Sequence, residues 1–127
     1  MATWDDVSAI ALGLPEAAEG TNKRGEIGWS VRGKGFAWER TLSRAMVTEL
    51  GAAAPSGPVL AAMVEDLGVQ QALVASDPDV YFVVDHFRGY PAVLVRLEAV
   101  AVEDLPELLT EAWLAVAPEK LAREHFG

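Results

Sequence analysis

The sequence predicts an α+β fold in which helices pack on a single, largely antiparallel sheet. Apolar residues alternate with small or polar ones over residues 27–32 and again over 36–40, which is the period of a half-buried strand. Residues 80–84 are β-branched and aromatic, and residues 92–97 form a second strand-like run after a six-residue turn. Residues 105–116 instead carry apolar side chains at helical spacing. Strands and helices occur in groups rather than in strict alternation, which favours α+β.

The N-terminal part predicts a helix followed by a meander of strands. Thr3, followed three residues later by Asp6, is typical of a helix start, and Gly13 indicates where that helix ends. We expect a strand over residues 20–24 ahead of the two alternating segments, which are joined by a turn at 32–35. These three strands predict an antiparallel meander.

The alternation also predicts how the two faces of the meander differ. Phe36, Trp38 and Arg40 are expected on one face, with Ala37 and Glu39 on the other. One face is therefore predicted to be apolar and aromatic, and the opposite face to carry charge.

The rest of the chain predicts further helices and one more strand. Residues 43–50 are expected to form a short helix, and Asp66 can cap another over 67–75. Periodicity alone does not distinguish a strand from a helix over 59–64, but its length and the nearby prolines favour a strand. The stripe of apolar residues that ends the chain predicts a long helix, which Pro118 separates from a short terminal one. This stripe is expected to pack in the core, the alternative being a surface for a partner helix.

Composition limits the classes of protein. The 127 residues fit one domain, 1–127, and half are apolar, which indicates a globular chain. The absence of cysteine excludes disulfides and thiolate zinc sites, and two histidines without further ligand motifs predict neither a metal nor a cofactor. No apolar run approaches the roughly 20 residues of a membrane span. We expect a cytoplasmic monomer or weak homodimer that is not an enzyme and has no membrane partner.

Charge is distributed unevenly along the chain. The formal net charge of −9 opposes nucleic-acid binding at long range, yet residues 20–44 hold six basic residues against two acidic ones. The six are Lys23, Arg24, Arg32, Lys34, Arg40 and Arg44. Interleaved with Trp29, Phe36 and Trp38, they predict a hairpin that binds DNA weakly through phosphate contacts. The alternative is a solvated charged face over buried aromatic residues.

The glycines of the predicted hairpin do not make a phosphate-binding loop. Gly33 and Gly35 form a G-x-G pair, but they lie between two strands and Trp38 stands where a third glycine is required. A hairpin turn is the favoured interpretation.

A polar turn at residues 85–90 is the second candidate site. His86 lies next to Asp85 and two residues before Arg88, which is compatible with acid–base chemistry. The favoured interpretation is a structural or exposed histidine, because neighbours on a turn need not converge. His86, Arg88 and Tyr90 also define an alternative function, a protein-interaction or small-ligand-binding module without nucleic-acid binding. A pocket lined by His86, Arg88 and Trp38 would favour it.

Segments along almost the whole chain resemble the MmcQ/YjbR-like family of small bacterial proteins. The matching segments are Trp4-Asp5-Asp6-Val7, Leu12-x-Leu14-Pro15, Val31-Arg32-Gly33-Lys34 with Phe36-Ala37, residues 77–82, residues 86–91 with 93–97, and Leu105-x-x-Leu108-Leu109-x-x-Ala112-Trp113 with Pro118. The resemblance implies a CyaY-like fold and DNA binding through a "double wing" of strands and helices. It implies Arg32 and Lys34 as phosphate contacts and offers no catalytic residues.

Overall fold

The computed structural model describes residues 2–127, which form five α-helices and one six-stranded sheet. The helices are α1 (Trp4–Leu12), α2 (Arg44–Leu50), α3 (Leu67–Ser76), α4 (Leu105–Val116) and α5 (Glu119–Phe126). The strands are β1 (Ala17–Thr21), β2 (Ile27–Val31), β3 (Lys34–Glu39), β4 (Val59–Met63), β5 (Tyr81–Phe82) and β6 (Ala92–Arg96).

The sheet has the order β1-β2-β3-β4-β6-β5, and every neighbouring pair is antiparallel. The predicted α+β class with a single antiparallel sheet is therefore confirmed. The first three strands are the predicted meander, and β1 lies at an open edge. None of the helices in the part of the chain described is long and apolar enough to cross a membrane.

Local side-chain contacts account for most helix starts. Thr3 and Asp6 form the predicted capping box at the start of α1, each side chain accepting from the other residue's backbone N–H. The Ser43 hydroxyl caps α2, and the Asp66 carboxylate caps α3 by accepting from the N–H of Val69 at 2.9 Å. These caps satisfy N–H groups that the first helical turn leaves free.

The first strand lies three residues earlier than predicted. It ends at Thr21 because the Asn22 side-chain oxygen accepts hydrogen bonds from the backbone N–H groups of Arg24 and Glu26, at 2.9 and 3.0 Å. This local bonding folds residues 22–26 into a turn that a continuing strand would not allow. The predicted strand at 20–24 is thus replaced by a strand end and a turn.

Apolar side chains form one cluster on each face of the sheet. The larger cluster lies under α1, α4 and α5 and contains the fully buried Trp29 and Trp113. The smaller cluster lies on the opposite face, where Met46 of α2 and Phe87 pack against β4 and β6. The smaller cluster covers only the β4–β6–β5 half of its face, so the face over β1 and β2 is open.

A β-bulge changes the predicted division of faces in the meander. The register between β2 and β3 shifts after Trp29, so that β3 has one extra residue at Phe36. Phe36 and Ala37 are consequently both buried in the larger cluster, whereas Trp38 packs against the smaller one. The prediction that Phe36 and Trp38 share a face is wrong, because at a bulge two consecutive residues oppose one residue of the partner strand.

Candidate binding groove

A groove of about 810 Å³ occupies the open face of the meander. Its floor is the β1–β3 part of the sheet, one side is the turn after β5, and one end is the β1–β2 turn. It brings together residues from both candidate sites that the sequence suggests. We call it the sheet groove.

The floor of the sheet groove consists of residues with little or no side chain. Gly20 pairs with Gly28, and Ser30 pairs with Gly35, so that these four residues share one face of the sheet. A Cβ atom placed on Gly20 would meet no atom within 4 Å. The predicted charged face is therefore a flat backbone surface here, and its flatness suits the face of a planar ring.

Aromatic side chains line one side of the sheet groove. Trp38, Phe87 and Tyr90, which we call the aromatic wall, come from β3 and from the turn before β6. The rings of Phe87 and Tyr90 lie 5.9 Å apart, and His86 meets Phe87 edge-on at 5.5 Å. Phe87 is buried while Tyr90 is 44 % exposed, so the wall joins the core to a solvent-facing ring. The groove therefore has aromatic surface along one side and backbone along its floor.

Gln70 of α3 holds the aromatic wall in place. This residue is buried, and its side-chain Nε2 donates to the carbonyl oxygens of Ala92 and Tyr90 at 2.6 and 2.9 Å. A third, longer hydrogen bond of 3.5 Å goes from Nε2 to the carbonyl oxygen of Phe87. The turn is also held from α2, since the Glu49 carboxylate accepts from the N–H of Asp85 at 2.9 Å. Side chains of α2 and α3 thus fasten the turn that carries the wall.

Four of the six basic residues lie at one end of the meander. Lys23 and Arg24 are in the β1–β2 turn, while Arg40 and Arg44 follow β3. The Glu26 carboxylate joins the two segments, because it accepts from the Asn22 side chain at 2.8 Å and from the Thr41 N–H at 3.0 Å. We call these four cations the basic end; Arg24 and Arg40 line the sheet groove itself.

Arg40 is fixed at the end of the groove. Its guanidinium donates to the Thr41 carbonyl at 3.1 Å and lies 5.9 Å from the centre of the Phe87 ring. Its positive charge has no carboxylate within 4.0 Å anywhere in residues 2–127, and the same holds for Arg24. Both charges are thus available to an anionic ligand.

Arg32 and Lys34 lie at the other end of β2, about 15 Å away at the usual rise of a strand. Arg32 forms a bidentate salt bridge with Glu16: Nε donates to Oε1 at 2.7 Å and Nη2 donates to Oε2 at 2.9 Å. This pairing neutralises the charge of Arg32. This hydrogen bond lowers the pKa of Glu16 and raises the pKa of Arg32. The six basic residues therefore form two separate groups.

The polar turn does not assemble the acid–base arrangement considered for it. Arg88 Nε lies 2.6 Å from a carboxylate oxygen of Asp85, so these two residues pair with each other. Within the described chain, His86 receives no hydrogen bond from either of them. His86 and Tyr90 line the sheet groove with Trp38, whereas Arg88 points its charge at Asp85 outside that lining. Residues 2–127 also contain no group of three carboxylates or histidines placed to hold a metal ion.

Glu26 gives the basic end a measurable pH dependence. Hydrogen bonds from Asn22 and Thr41 lower the pKa of Glu26 from 4.5 to about 2. Its stabilising contribution is therefore present above pH 4.5 and is lost as the pH falls towards 2. We expect Glu26→Gln to lower the free energy of unfolding near pH 7 by about 1 kcal/mol, a value reduced by solvent screening, and to flatten its decline below pH 4.5.

Urea unfolding of Glu26→Gln at several pH values tests this expectation. Glu111→Gln, which removes an exposed carboxylate of α4, is the matched control. A Glu26→Gln curve that runs parallel to the wild-type curve at all pH values would show that Glu26 does not join the two segments.

Several parts of the groove were not found from the sequence. The glycines of the floor are visible as letters, but only the strand register shows that they share a face. Gln70 is an ordinary polar residue of a helix in the sequence, and its burial depends on a turn about 20 residues later. The one sequence signal for the floor is the occurrence of small residues at positions 20, 28, 30 and 35 of the alternating segments.

The antiparallel sheet, covered by α1, α4 and α5 on one face and half open on the other, defines a small α+β domain. The chain belongs to the YjbR family, whose model matches residues 12–115. This confirms the family resemblance of the sequence. Because the match includes the whole meander and the aromatic wall, it covers every residue that lines the sheet groove.

Relatives and a solved structure agree with this assignment. The uncharacterized proteins Rv2570 of Mycobacterium tuberculosis and Mb2600 of Mycobacterium bovis are each 49 % identical over 126 residues, covering 97 % of this chain and 95 % of theirs. The crystal structure of Deinococcus radiodurans protein DR2400, assigned to DUF419, has a TM-score of 0.71 at 20 % identity. It covers 98 % of this chain and 88 % of that one, which shows the same fold.

Proposed function

We propose that this YjbR-family protein is a non-enzymatic, weak nucleic-acid-binding protein that contacts phosphates through its basic end. The observation that carries the proposal is the grouping of Lys23, Arg24, Arg40 and Arg44 at one end of the meander. No carboxylate lies within 4.0 Å of their charged groups in residues 2–127, so these cations are not already neutralised.

The acidic remainder of the chain makes this binding weak. A net charge of −9 repels a polyanion at long range, so the basic end acts only at close approach. Four phosphate contacts predict that the logarithm of the binding constant falls with the logarithm of salt concentration with a slope of about −3 to −4. Steep salt dependence combined with low affinity is the expected signature.

Charge reversal at the basic end tests the proposal. We expect Lys23→Glu with Arg24→Glu to reduce binding of a fluorescein-labelled DNA by at least tenfold at low salt, because two phosphate contacts are replaced by repulsion. Fluorescence anisotropy measures the affinity. Both residues are exposed, so the fold is expected to persist.

The matched control is Lys34→Glu with Lys120→Glu, which changes the net charge equally at exposed residues away from the basic end. It is expected to weaken binding only slightly. Equal losses in the two variants would mean that net charge, and not the basic end, governs binding. No anisotropy change with wild type at low salt would overturn the function itself.

The sheet groove favours a second candidate, a small-ligand-binding module without nucleic-acid binding. Its support is that His86, Tyr90 and Trp38 line one groove, although Arg88 does not. A small planar anion would lie on the glycine floor with its charge near Arg40. Isothermal titration with a nucleoside monophosphate, compared with an oligonucleotide, separates the two candidates, because this candidate requires binding of the free nucleotide alone.

A further inference from the structure

We propose that the sheet groove receives an unstacked base, so that the protein prefers single-stranded nucleic acid to duplex. The inference rests on the proposed function and names the form of nucleic acid that it takes. Its basis is the position of a bare floor and an aromatic wall beside the basic end, within a single groove.

The shape of the groove suits a single base and not a base pair. Its floor is the backbone of Gly20, Gly28 and Gly35, and the wall of Trp38 and Tyr90 rises beside it. A base in a duplex is covered on both faces by its neighbours and presents only its edges in the grooves. A base in a single strand exposes its face and can stack on aromatic side chains.

The charges of the groove complement a strand that carries its base there. Arg24 and Arg40 stand at the end of the groove where the backbone of such a strand would leave it. Two carboxylates also line the groove, but both accept hydrogen bonds from neighbouring groups of the protein. Glu26 accepts from Asn22 and Thr41, and Glu39 accepts from the Ile27 N–H at 3.2 Å. The cations without carboxylate partners therefore set the preference for an anionic ligand.

This charge pattern distinguishes a nucleotide from an apolar peptide as the occupant. An apolar peptide side chain requires apolar side chains around it, whereas the floor offers glycine backbone and the Ser30 hydroxyl. A base has a flat face for the floor and the wall, polar edges for Ser30 and His86, and a phosphate for Arg40. Single-stranded nucleic acid meets all three features.

Two substitutions test the groove without touching the basic end. Gly20→Leu places a side chain over the floor at a point where a Cβ meets no atom, so the strand tolerates it. Ala18→Leu is the matched control, because it adds a leucine to the same strand at an exposed residue that does not line the groove. Trp38→Leu removes the largest ring of the wall. Thermal unfolding of each variant verifies that it is folded.

Anisotropy with one labelled oligonucleotide, alone and annealed to its complement, gives the readout. We expect the single strand to bind the wild type about tenfold more tightly than the duplex. Gly20→Leu and Trp38→Leu should each lose about tenfold in single-strand affinity, with the affinity of Ala18→Leu and all duplex affinities little changed.

The possible failures are distinguishable. Equal affinity for both forms, with no effect of Gly20→Leu, overturns the base-binding groove but leaves binding through the basic end standing. Tighter binding of the duplex overturns it as well. Absence of binding to both forms overturns the proposed function and this inference together.

Discussion

Trp113→Ala is expected to lower the free energy of unfolding by about 4 kcal/mol. Trp113 is fully buried on α4, within the larger cluster between the helices and the sheet. Its ring lies 5.2 Å from that of Phe126 on α5, and its Nε1 donates to the Pro15 carbonyl at 2.9 Å. Truncation therefore removes packing to three parts of the fold and leaves a partly buried carbonyl without its donor.

Chemical denaturation of Trp113→Ala measures this loss, with Trp113→Phe as the control. Phenylalanine keeps most of the ring volume but cannot donate to Pro15, so we expect about 1–2 kcal/mol of destabilisation from this variant. Similar losses in the two variants would mean that the hydrogen bond, and not the packing, dominates. A loss below about 1 kcal/mol for alanine would contradict the central position of Trp113.

The sequence was sufficient to predict α4 and its buried face, on which Trp113 lies. Its helical stripe identifies the buried face of α4, because the period of 3.6 residues leaves only one side for the core. The Pro15 partner was not predictable, since it lies 98 residues away and contributes a backbone atom that no sequence pattern reports. Local patterns thus predicted the elements and which of their faces are buried, but not the contacts between distant elements.

The meander shows a different limit. The alternating pattern predicted β2 and β3 correctly. It assumes, however, that each residue of one strand pairs with a single residue of the next strand. The bulge at Phe36 breaks that assumption and moves Trp38 to the opposite face. This single register shift puts an indole beside the glycine floor, so the candidate groove depends on a feature that period counting cannot detect.

The positions of the six basic residues in space were also not predictable from their spacing along the chain. Six cations within 25 residues suggested one charged hairpin surface, but a β-hairpin separates its two ends by the length of its strands. Arg32 and Lys34 lie at the β2–β3 turn, where Glu16 neutralises the charge of Arg32. Arg24 and Arg40 instead joined the groove that contains His86 and Tyr90. Two sites that looked separate along the chain thus contribute to one surface.

The second large effect is expected for Gln70→Met, which should cost about 2 kcal/mol and weaken single-strand binding as well. Methionine has a similar length and no donor. The partly buried carbonyl of Tyr90 and the buried carbonyl of Ala92 therefore lose hydrogen bonds of 2.9 and 2.6 Å. Because these bonds fasten the turn that carries Phe87, the aromatic wall should become mobile. Hydrogen exchange of residues 85–92 measures that mobility, and Gln71→Met, at the exposed neighbouring position, is the matched control.

The outcome of Gln70→Met separates stability from binding. If the wall must be held in place to stack a base, Gln70→Met should lose single-strand affinity at temperatures where it is still fully folded, with duplex affinity retained. A variant that is destabilised but binds normally would show that the turn supports the fold only. A variant with wild-type stability and exchange would contradict the three hydrogen bonds of Gln70, because buried carbonyls that lose their donor must cost free energy or rearrange.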